Sequence, residues 1–98
     1  MLRCADLEMD DDRHVVRRGA TEISLTPTEY RLLVYLVKHA RRVLTHEQIL
    51  EEVWGWDYAG GSRSVDVHIR WLREKLETDP SNPERIITLR GVGYRFEG

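Results

Sequence analysis

The chain has 98 residues, of which 41% are hydrophobic and 33% charged, and its formal net charge is −2. This composition is typical of a small globular protein, and we expect one domain that spans residues 1–98. It has no apolar run near the roughly 18 residues that cross a membrane, and no signal peptide, because charged residues interrupt Leu2 to Met9. Its single cysteine, Cys4, lacks a disulfide or metal partner, so we expect no cofactor and a reducing, cytoplasmic location.

The first quarter of the chain is predicted to form a small antiparallel sheet. In residues 1–25, Leu7 and Met9 alternate with acids, and turn residues separate the apolar pairs. A helix should follow, because Thr26 can cap it and Glu29 completes a capping box. The buried face of this helix is predicted to consist of Tyr30, Leu33, Val34 and Val37.

A second capping box, from Thr45 to Gln48, predicts a shorter helix. The residues between the two helices, Arg41 to Leu44, should form a short link. The glycine-rich string from Gly55 to Ser62 fits neither a helix nor a strand pattern and is predicted to be a loop, with Ser62 capping the next helix. The inward residues of the shorter helix should be Ile49, Leu50 and Val53.

The third helix is predicted over residues 63–77 and has an exposed face suited to DNA. Its apolar residues recur at offsets of four, three and four, which on a helix form one buried stripe. They are Val65, Ile69, Leu72 and Leu76. The opposite side presents Arg63, Val67, Arg70 and Glu74. Guanidinium groups and a small apolar side chain suit the major groove, where they can meet guanine edges and thymine methyl groups.

The C-terminal residues are predicted to form a β-hairpin, or wing. Two short strands, Ile86 to Leu89 and Tyr94 to Phe96, follow a proline-containing turn. The tip would consist of Arg90, Gly91, Val92 and Gly93, where glycine allows positive φ or a close backbone approach. The order predicts an α+β winged helix-turn-helix fold. It would comprise an N-terminal antiparallel β-sheet (1–25), three α-helices (26–78) and a β-hairpin wing (85–97).

The net charge opposes a polyanionic ligand, but its distribution is less unfavourable. Residues 1–62 hold 8 basic and 11 acidic side chains, whereas residues 63–98 hold 7 basic and 6 acidic ones. Since phosphate neutralisation usually dominates affinity for nucleic acid, binding to DNA should depend on a few well-placed contacts.

Five strings along the chain carry a resemblance to a known family. They are LTPTEYRLL at residues 25–33, VLTHEQIL at 43–50, VW at 53–54, RSVDVHIRWLREKLE at 63–77 and ITLRGVGYRF at 87–96. Together they resemble the C-terminal effector domain of OmpR/PhoB-type response regulators, the transcription factors of bacterial two-component systems. The resemblance covers nearly the whole chain. It implies sequence-specific binding of double-stranded DNA, with the third helix in the major groove and the wing in the minor groove.

The resemblance also implies roles for individual residues. Trp54 corresponds to a tryptophan that touches the phosphate backbone, and Arg90 to the wing arginine that reaches the minor groove. The DNA-facing positions of the third helix would be Arg63, Ser64, Val67, His68, Arg70 and Arg73. The segment that contacts RNA polymerase would be Gly55, Trp56, Asp57, Tyr58, Ala59, Gly60 and Gly61.

Three aromatic residues at these positions have alternative interpretations. Trp71 stands where some family members have a base-contacting arginine, and we expect its indole to pack against a thymine methyl and deoxyribose or to lean on the wing. The recognised sequence should therefore differ from that of arginine-bearing relatives. His68 could be a structural hydrogen-bonding group instead of a phosphate ligand. Trp54 could belong to the core, with or without a phosphate contact.

The resemblance implies partners as well. The phosphorylated aspartate of the family lies in a separate receiver domain, so we expect the chain to be an excised effector domain or a stand-alone regulator. A sensor histidine kinase would act through the absent receiver domain. A second copy of the domain would bind beside the first, head to tail on direct-repeat half-sites, and RNA polymerase would be a third partner.

The residues leave two further questions open. Arg73 could form an ion pair with Glu77, and Asp66 with Arg70, because both pairs have four-residue spacing. An enzyme is not expected, since no nucleophile with a base and no paired-carboxylate motif is present in the sequence. The alternative function is a winged-helix module that binds protein without touching DNA.

Overall fold

The computed structural model of the protein describes residues 2–4, 6–55 and 63–97. Three helices and two antiparallel sheets make up this part of the chain. In order, the elements are β1 (Leu2–Cys4), β2 (Leu7–Asp10), β3 (Val15–Arg18), β4 (Thr21–Ser24), α1 (Pro27–Lys38), β5 (Leu44–Thr45), α2 (His46–Val53), α3 (Arg63–Leu76), β6 (Ile86–Leu89) and β7 (Gly93–Phe96). Among the described residues, no helix is long and apolar enough to cross a bilayer.

The N-terminal sheet is an antiparallel meander in which β1, β2, β3 and β4 pair in sequence order. Leu7 and Met9 of β2 are fully buried, as is Val16 of β3, which lies opposite Met9. The alternation of Leu7 and Met9 with acids therefore places one face of the sheet against the core. The predicted antiparallel sheet is confirmed.

Helix α1 begins with the predicted capping box. The Thr26 hydroxyl accepts the Glu29 N–H at 3.2 Å, and the Thr26 N–H donates to Glu29 Oε1 at 2.9 Å. Its buried face is wider than predicted. Leu32 and Leu36 are fully buried, whereas Val34 is only partly buried. Because α1 packs in one core cluster with the N-terminal sheet and with α2, α3 and β7, it buries residues on two sides.

The predicted link before α2 proved to contain a strand. Leu44 and Thr45 form β5, which pairs with Tyr94 and Gly93 of β7. Thr45 is also the N-cap of α2, and its capping box with Gln48 is confirmed. A two-residue strand is too short to leave an alternating pattern in the sequence, which explains why the pairing was missed.

The wing consists of β6 and β7, with Ile86 opposite Phe96 and Leu89 opposite Gly93. Gly91 at the turn has φ +76°, the positive φ that was expected of a tip glycine. Gly93 belongs to β7 and not to the tip. A Cβ on Gly93 would lie 1.9 Å from the backbone oxygen of Leu44, so the glycine permits the close approach of β5.

Candidate nucleic-acid interface

Helix α3 has one fully buried stripe and one exposed face. The predicted stripe is confirmed, because Val65, Ile69, Leu72 and Leu76 are at most 1% exposed. On the other side Arg63 and Arg70 are exposed and Val67 is partly buried. Helix periodicity therefore places two guanidinium groups and one aliphatic side chain along the same face.

Three arginines are available to an external ligand. Arg63 and Arg70 on α3 and Arg90 at the wing tip are exposed. Within the described part of the chain, none of the three forms an ion pair. Each guanidinium carries five N–H donors in a planar fork, the geometry that binds phosphate or a guanine edge.

Arg73 connects α3 to the wing. Its Nε and Nη2 donate to the backbone oxygen of Ile86 at 3.2 and 2.9 Å, and Nη2 also donates to Thr88 Oγ1 at 2.5 Å. The guanidinium carbon lies 5.6 Å from the centroid of the Tyr94 ring. Arg73 therefore bonds β6 and not Glu77, the partner that its spacing suggested. Its predicted contact with DNA stays a prediction.

Asp66 connects α3 to α2 and β7. Its Oδ1 accepts the Tyr94 hydroxyl at 2.5 Å and His46 Nε2 at 2.9 Å. Burial, and then the hydrogen bond to the negatively charged Asp66, raises the pKa of the Tyr94 phenol, so the hydroxyl remains a protonated donor. The suggested ion pair between Asp66 and Arg70 is absent among the described residues.

Three aromatic rings contact one another in a row, and we call them the aromatic ladder: Trp54, His68 and Trp71. The centroids of Trp54 and His68 are 5.0 Å apart, and those of His68 and Trp71 are 4.8 Å apart, both edge to face. Trp71 is 44% exposed. Its indole contacts the His68 ring edge to face, so it packs against a neighbour on its own helix. The spacing of His68 and Trp71, three residues apart on a helix, was a usable signal for this contact.

The ladder is anchored through His68 and Trp54. His68 Nδ1 donates to the backbone oxygen of Ser64 at 2.8 Å. Since that oxygen can only accept, Nδ1 carries a proton, and in the neutral ring Nε2 is then an acceptor. His68 has the structural hydrogen bond considered above, and Nε2 could donate to a phosphate only in the doubly protonated ring. Trp54 ends α2 and packs against the hydrophobic core while remaining partly exposed.

The C-terminal end of α3 is held by two charged side chains from other elements. Lys75 Nζ donates to Glu29 Oε1 at 2.5 Å, and Glu29 is 1% exposed. Burial alone would raise the pKa of Glu29, but the hydrogen bonds from Lys75 and the Thr26 backbone together lower it below the usual value. Arg18 of β3 donates to the backbone oxygen of Leu76 at 2.7 Å, where an α-helix leaves carbonyl groups unpaired.

Glu77, the residue after α3, holds the start of the wing. Its carboxylate is 7% exposed and accepts the backbone N–H groups of Glu84, Arg85 and Ile86 at 2.9 to 3.1 Å. Three donors that precede or begin β6 are therefore satisfied by one side chain. The orientation of the wing relative to α3 depends on Glu77 from this end and on Arg73 from the helix.

The predicted polymerase-contact loop is described only at Gly55. This residue has φ +104°, and its N–H donates to the backbone oxygen of Leu50 at 3.1 Å, which closes α2. Residues Trp56, Asp57, Tyr58, Ala59, Gly60 and Gly61, with the predicted cap Ser62, lie outside the described residues.

A helix held on three sides, with an exposed arginine-bearing face and an adjacent hairpin, defines a winged helix-turn-helix domain. The chain belongs to a family of transcription regulators, since residues 20–96 match the family model described as "Transcriptional regulatory protein, C terminal". The resemblance to OmpR/PhoB-type effector domains is thereby confirmed.

Curated relatives are transcriptional regulators of greater length. A probable transcriptional regulatory protein of Picosynechococcus is 60% identical over 86 residues, which cover 88% of this chain and 34% of the relative. The alkaline phosphatase synthesis transcriptional regulatory protein SphR of Synechococcus elongatus is 46% identical over 96 residues, which cover 98% of this chain and 37% of SphR. The chain thus spans little more than a third of the length of these two relatives.

Solved structures share the fold. The Klebsiella pneumoniae RstA DNA-binding domain, determined in complex with the RstA box, superposes on this chain with a TM-score of 0.87 at 32% sequence identity. The superposition covers 98% of this chain and 95% of the RstA domain. The Thermotoga maritima response regulator DrrB, an OmpR/PhoB homologue, gives a TM-score of 0.87 at 34% sequence identity. That superposition covers 99% of this chain and 44% of DrrB.

Proposed function

We propose that residues 1–98 form one effector domain of a two-component response regulator and bind double-stranded DNA in a sequence-specific manner. The observation that carries the proposal is the exposure of Arg63, Arg70 and Arg90 on two elements whose relative orientation is fixed. A helix fits the major groove, and a hairpin beside it reaches the neighbouring minor groove. The RstA domain, which was determined with the RstA box, supports the assignment by its likeness.

The side chains divide into four groups by position. Arg63, Val67, Arg70 and Trp71 face the major groove and contact base edges. Ser64, His68 and Trp54 lie on one flank, towards a phosphate backbone. Arg90 enters the minor groove, where a narrow A·T-rich groove has enhanced negative potential. Arg73 lies on the other flank, where its guanidinium already bonds the wing.

The partners follow from the proposed role. One small module offers few contacts, so two copies would bind head to tail on direct-repeat half-sites roughly 10 to 11 base pairs apart. In a longer cytoplasmic regulator, a sensor histidine kinase would act through a receiver domain. The segment from Gly55 to Gly61 would contact RNA polymerase. No catalytic role is proposed for the chain.

The experiment that tests DNA binding is a selection of bound sequences from random duplex DNA, followed by affinity measurements at several salt concentrations. Affinity for a selected duplex should fall with a log–log slope of about −3.6 if about four phosphates are contacted. Arg70→Ala should weaken binding by about 1 to 3 kcal/mol and relax the preference at one base pair. Arg17→Ala, in the exposed part of the N-terminal sheet, is the matched control and should bind as the wild type does.

The alternative function has a different signature. A winged-helix module that binds only protein would select no duplex and show a flat salt response. Its binding to a protein partner would also survive Arg90→Ala. Equal weakening of Arg70→Ala on all sequences would give that residue a phosphate contact in place of base readout.

A further inference from the structure

We propose that Trp71 and Val67 form an apolar reading edge for the 5-methyl groups of thymine, and that His68 and Trp54 position the indole for this contact. The inference rests on the proposed binding of α3 in the major groove. It assigns sequence preference to the aromatic ladder, in addition to the arginines.

The first observation is the place of the indole on α3. Trp71 lies one helical turn after Val67 and directly after Arg70, so it borders the exposed arginine-bearing face. In the part of the chain that the structure describes, it is the only aromatic residue among the exposed large hydrophobic side chains. A fixed apolar group at this border would contact a base pair next to the one that Arg70 contacts.

The second observation is that the indole is held and not merely exposed. The His68 ring lies 4.8 Å from Trp71 and 5.0 Å from Trp54, in both cases edge to face. The His68 ring is itself fixed by the hydrogen bond from Nδ1 to the Ser64 oxygen at 2.8 Å. A side chain that is already ordered loses less conformational entropy when it binds, so its contacts contribute more to affinity.

The chemistry of the indole then selects its target. An indole has one N–H donor and no acceptor, and most of its surface is apolar. In the major groove thymine presents an apolar 5-methyl group beside its O4 acceptor, whereas the recognition groups of guanine, adenine and cytosine are all hydrogen-bonding atoms. Burying guanine or cytosine edges under the ring would leave polar atoms without partners. Thymine is therefore the base that this edge favours.

The experiment removes single methyl groups from DNA. In a duplex selected by the wild-type chain, each thymine is replaced in turn by deoxyuridine, which lacks only the 5-methyl. One or two replacements should weaken wild-type binding about four-fold each, the effect of losing one buried methyl group. In Trp71→Ala at least one of these replacements should lose its effect, whereas a thymine that Val67 contacts should keep its dependence on the methyl group. Arg70→Ala is the matched control, because it should keep the methyl dependence while losing preference at its own base pair.

Two more variants test the positioning role and protect against misfolding. His68→Ala removes the ring that holds the indole and should reduce the ratio of thymine to deoxyuridine affinity at the same position, with the thermal midpoint as the check on folding. Trp71→Arg retains a long side chain and should exchange the preference for thymine for one for guanine.

The outcomes separate this inference from the proposed function. If the wild-type chain selects no duplex, DNA binding itself is refuted. If it binds a selected duplex but tolerates every deoxyuridine, or if Trp71→Ala responds to each deoxyuridine as strongly as the wild type does, DNA binding stands and the thymine-reading edge is wrong.

Discussion

The backbone N–H of Ile86 donates to Oε2 of Glu77 at 2.9 Å, so the first residue of β6 is bonded to the residue that follows α3. Glu84 and Arg85 donate to the same carboxylate. A buried acid thereby substitutes for three backbone acceptors in the turn between the helix and the wing.

Glu77→Ala should destabilise the domain by about 2 to 3 kcal/mol, because three backbone donors lose a charged acceptor. Urea unfolding followed by circular dichroism measures the change. Glu74→Ala, at an exposed position of the same helix, is the control and should remain within about 0.5 kcal/mol of the wild type. Similar midpoints for the two variants would contradict the role given to Glu77.

Gly93→Ala should be far more disruptive than Gly91→Ala. A Cβ on Gly93 would meet the Leu44 backbone oxygen at 1.9 Å, so β5 must separate from β7. At Gly91 the space is open and only the positive φ is unfavourable, which costs about 1 to 2 kcal/mol for an L-residue. Thermal unfolding of both variants tests the contrast. The close approach of the two strands is disproved if Gly93→Ala melts at or above the temperature of Gly91→Ala.

Arg73→Ala distinguishes a positioning residue from a phosphate ligand. If Arg73 acts by orienting the wing through Ile86 and Thr88, its loss should weaken DNA binding without changing the dependence on salt. A lost phosphate contact would instead reduce the log–log slope by about 0.9. We expect the slope to be unchanged, as measured by fluorescence anisotropy across a salt series.

Glu29→Gln should alter how stability depends on pH. Folding lowers the pKa of Glu29, so the ionised carboxylate stabilises the wild type above the ordinary pKa of 4.5, and this contribution is lost as the pH falls through the lower pKa of the folded state. The glutamine retains an oxygen for the Thr26 N–H but not the charge that pairs with Lys75. The stability difference between wild type and variant should be largest at neutral pH and shrink as the pH falls below 4.5. Urea midpoints at several pH values test this, and a difference that grows in acid would contradict it.

Arg90→Ala should reduce affinity mainly on selected sites whose flanking minor groove is narrow and A·T-rich. The measurement compares two duplexes that share the major-groove site but have A·T-rich or G·C-rich flanks. Arg17→Ala again provides a control on the N-terminal sheet. An equal loss on both duplexes, or no loss on either, would refute the minor-groove assignment of the wing tip.

The elements that were predicted well have local causes. The capping boxes at Thr26 and Thr45 and the buried stripe of α3 depend on residues only three or four positions apart. The errors came from contacts between distant segments. The pairing of β5 with β7 and the burial of Leu36 depend on partners that no local pattern identifies.

In the candidate site, too, local patterns were predicted correctly and contacts between distant segments were not. Periodicity was sufficient to place Arg63 and Arg70 on one exposed face. It could not predict that Asp66 bonds His46 and Tyr94, because these residues meet only when α2, α3 and the wing have assembled. The four-residue spacing had suggested Arg70 as the partner of Asp66. In the structure, Asp66 instead bonds residues of other elements.

The anchoring of α3 also separates its residues into two sets for protein engineering. Arg73, Lys75 and Glu77 attach the helix to the wing and to α1. The second set comprises the residues on the exposed face. A chimaera that receives the whole helix of a paralogue would exchange both sets and would break the bonds that the anchoring residues make with the rest of the domain. Under the proposed function, a transplant limited to Arg63, Val67, Arg70 and Trp71 should change the promoter preference while every one of those anchors keeps its native pairing.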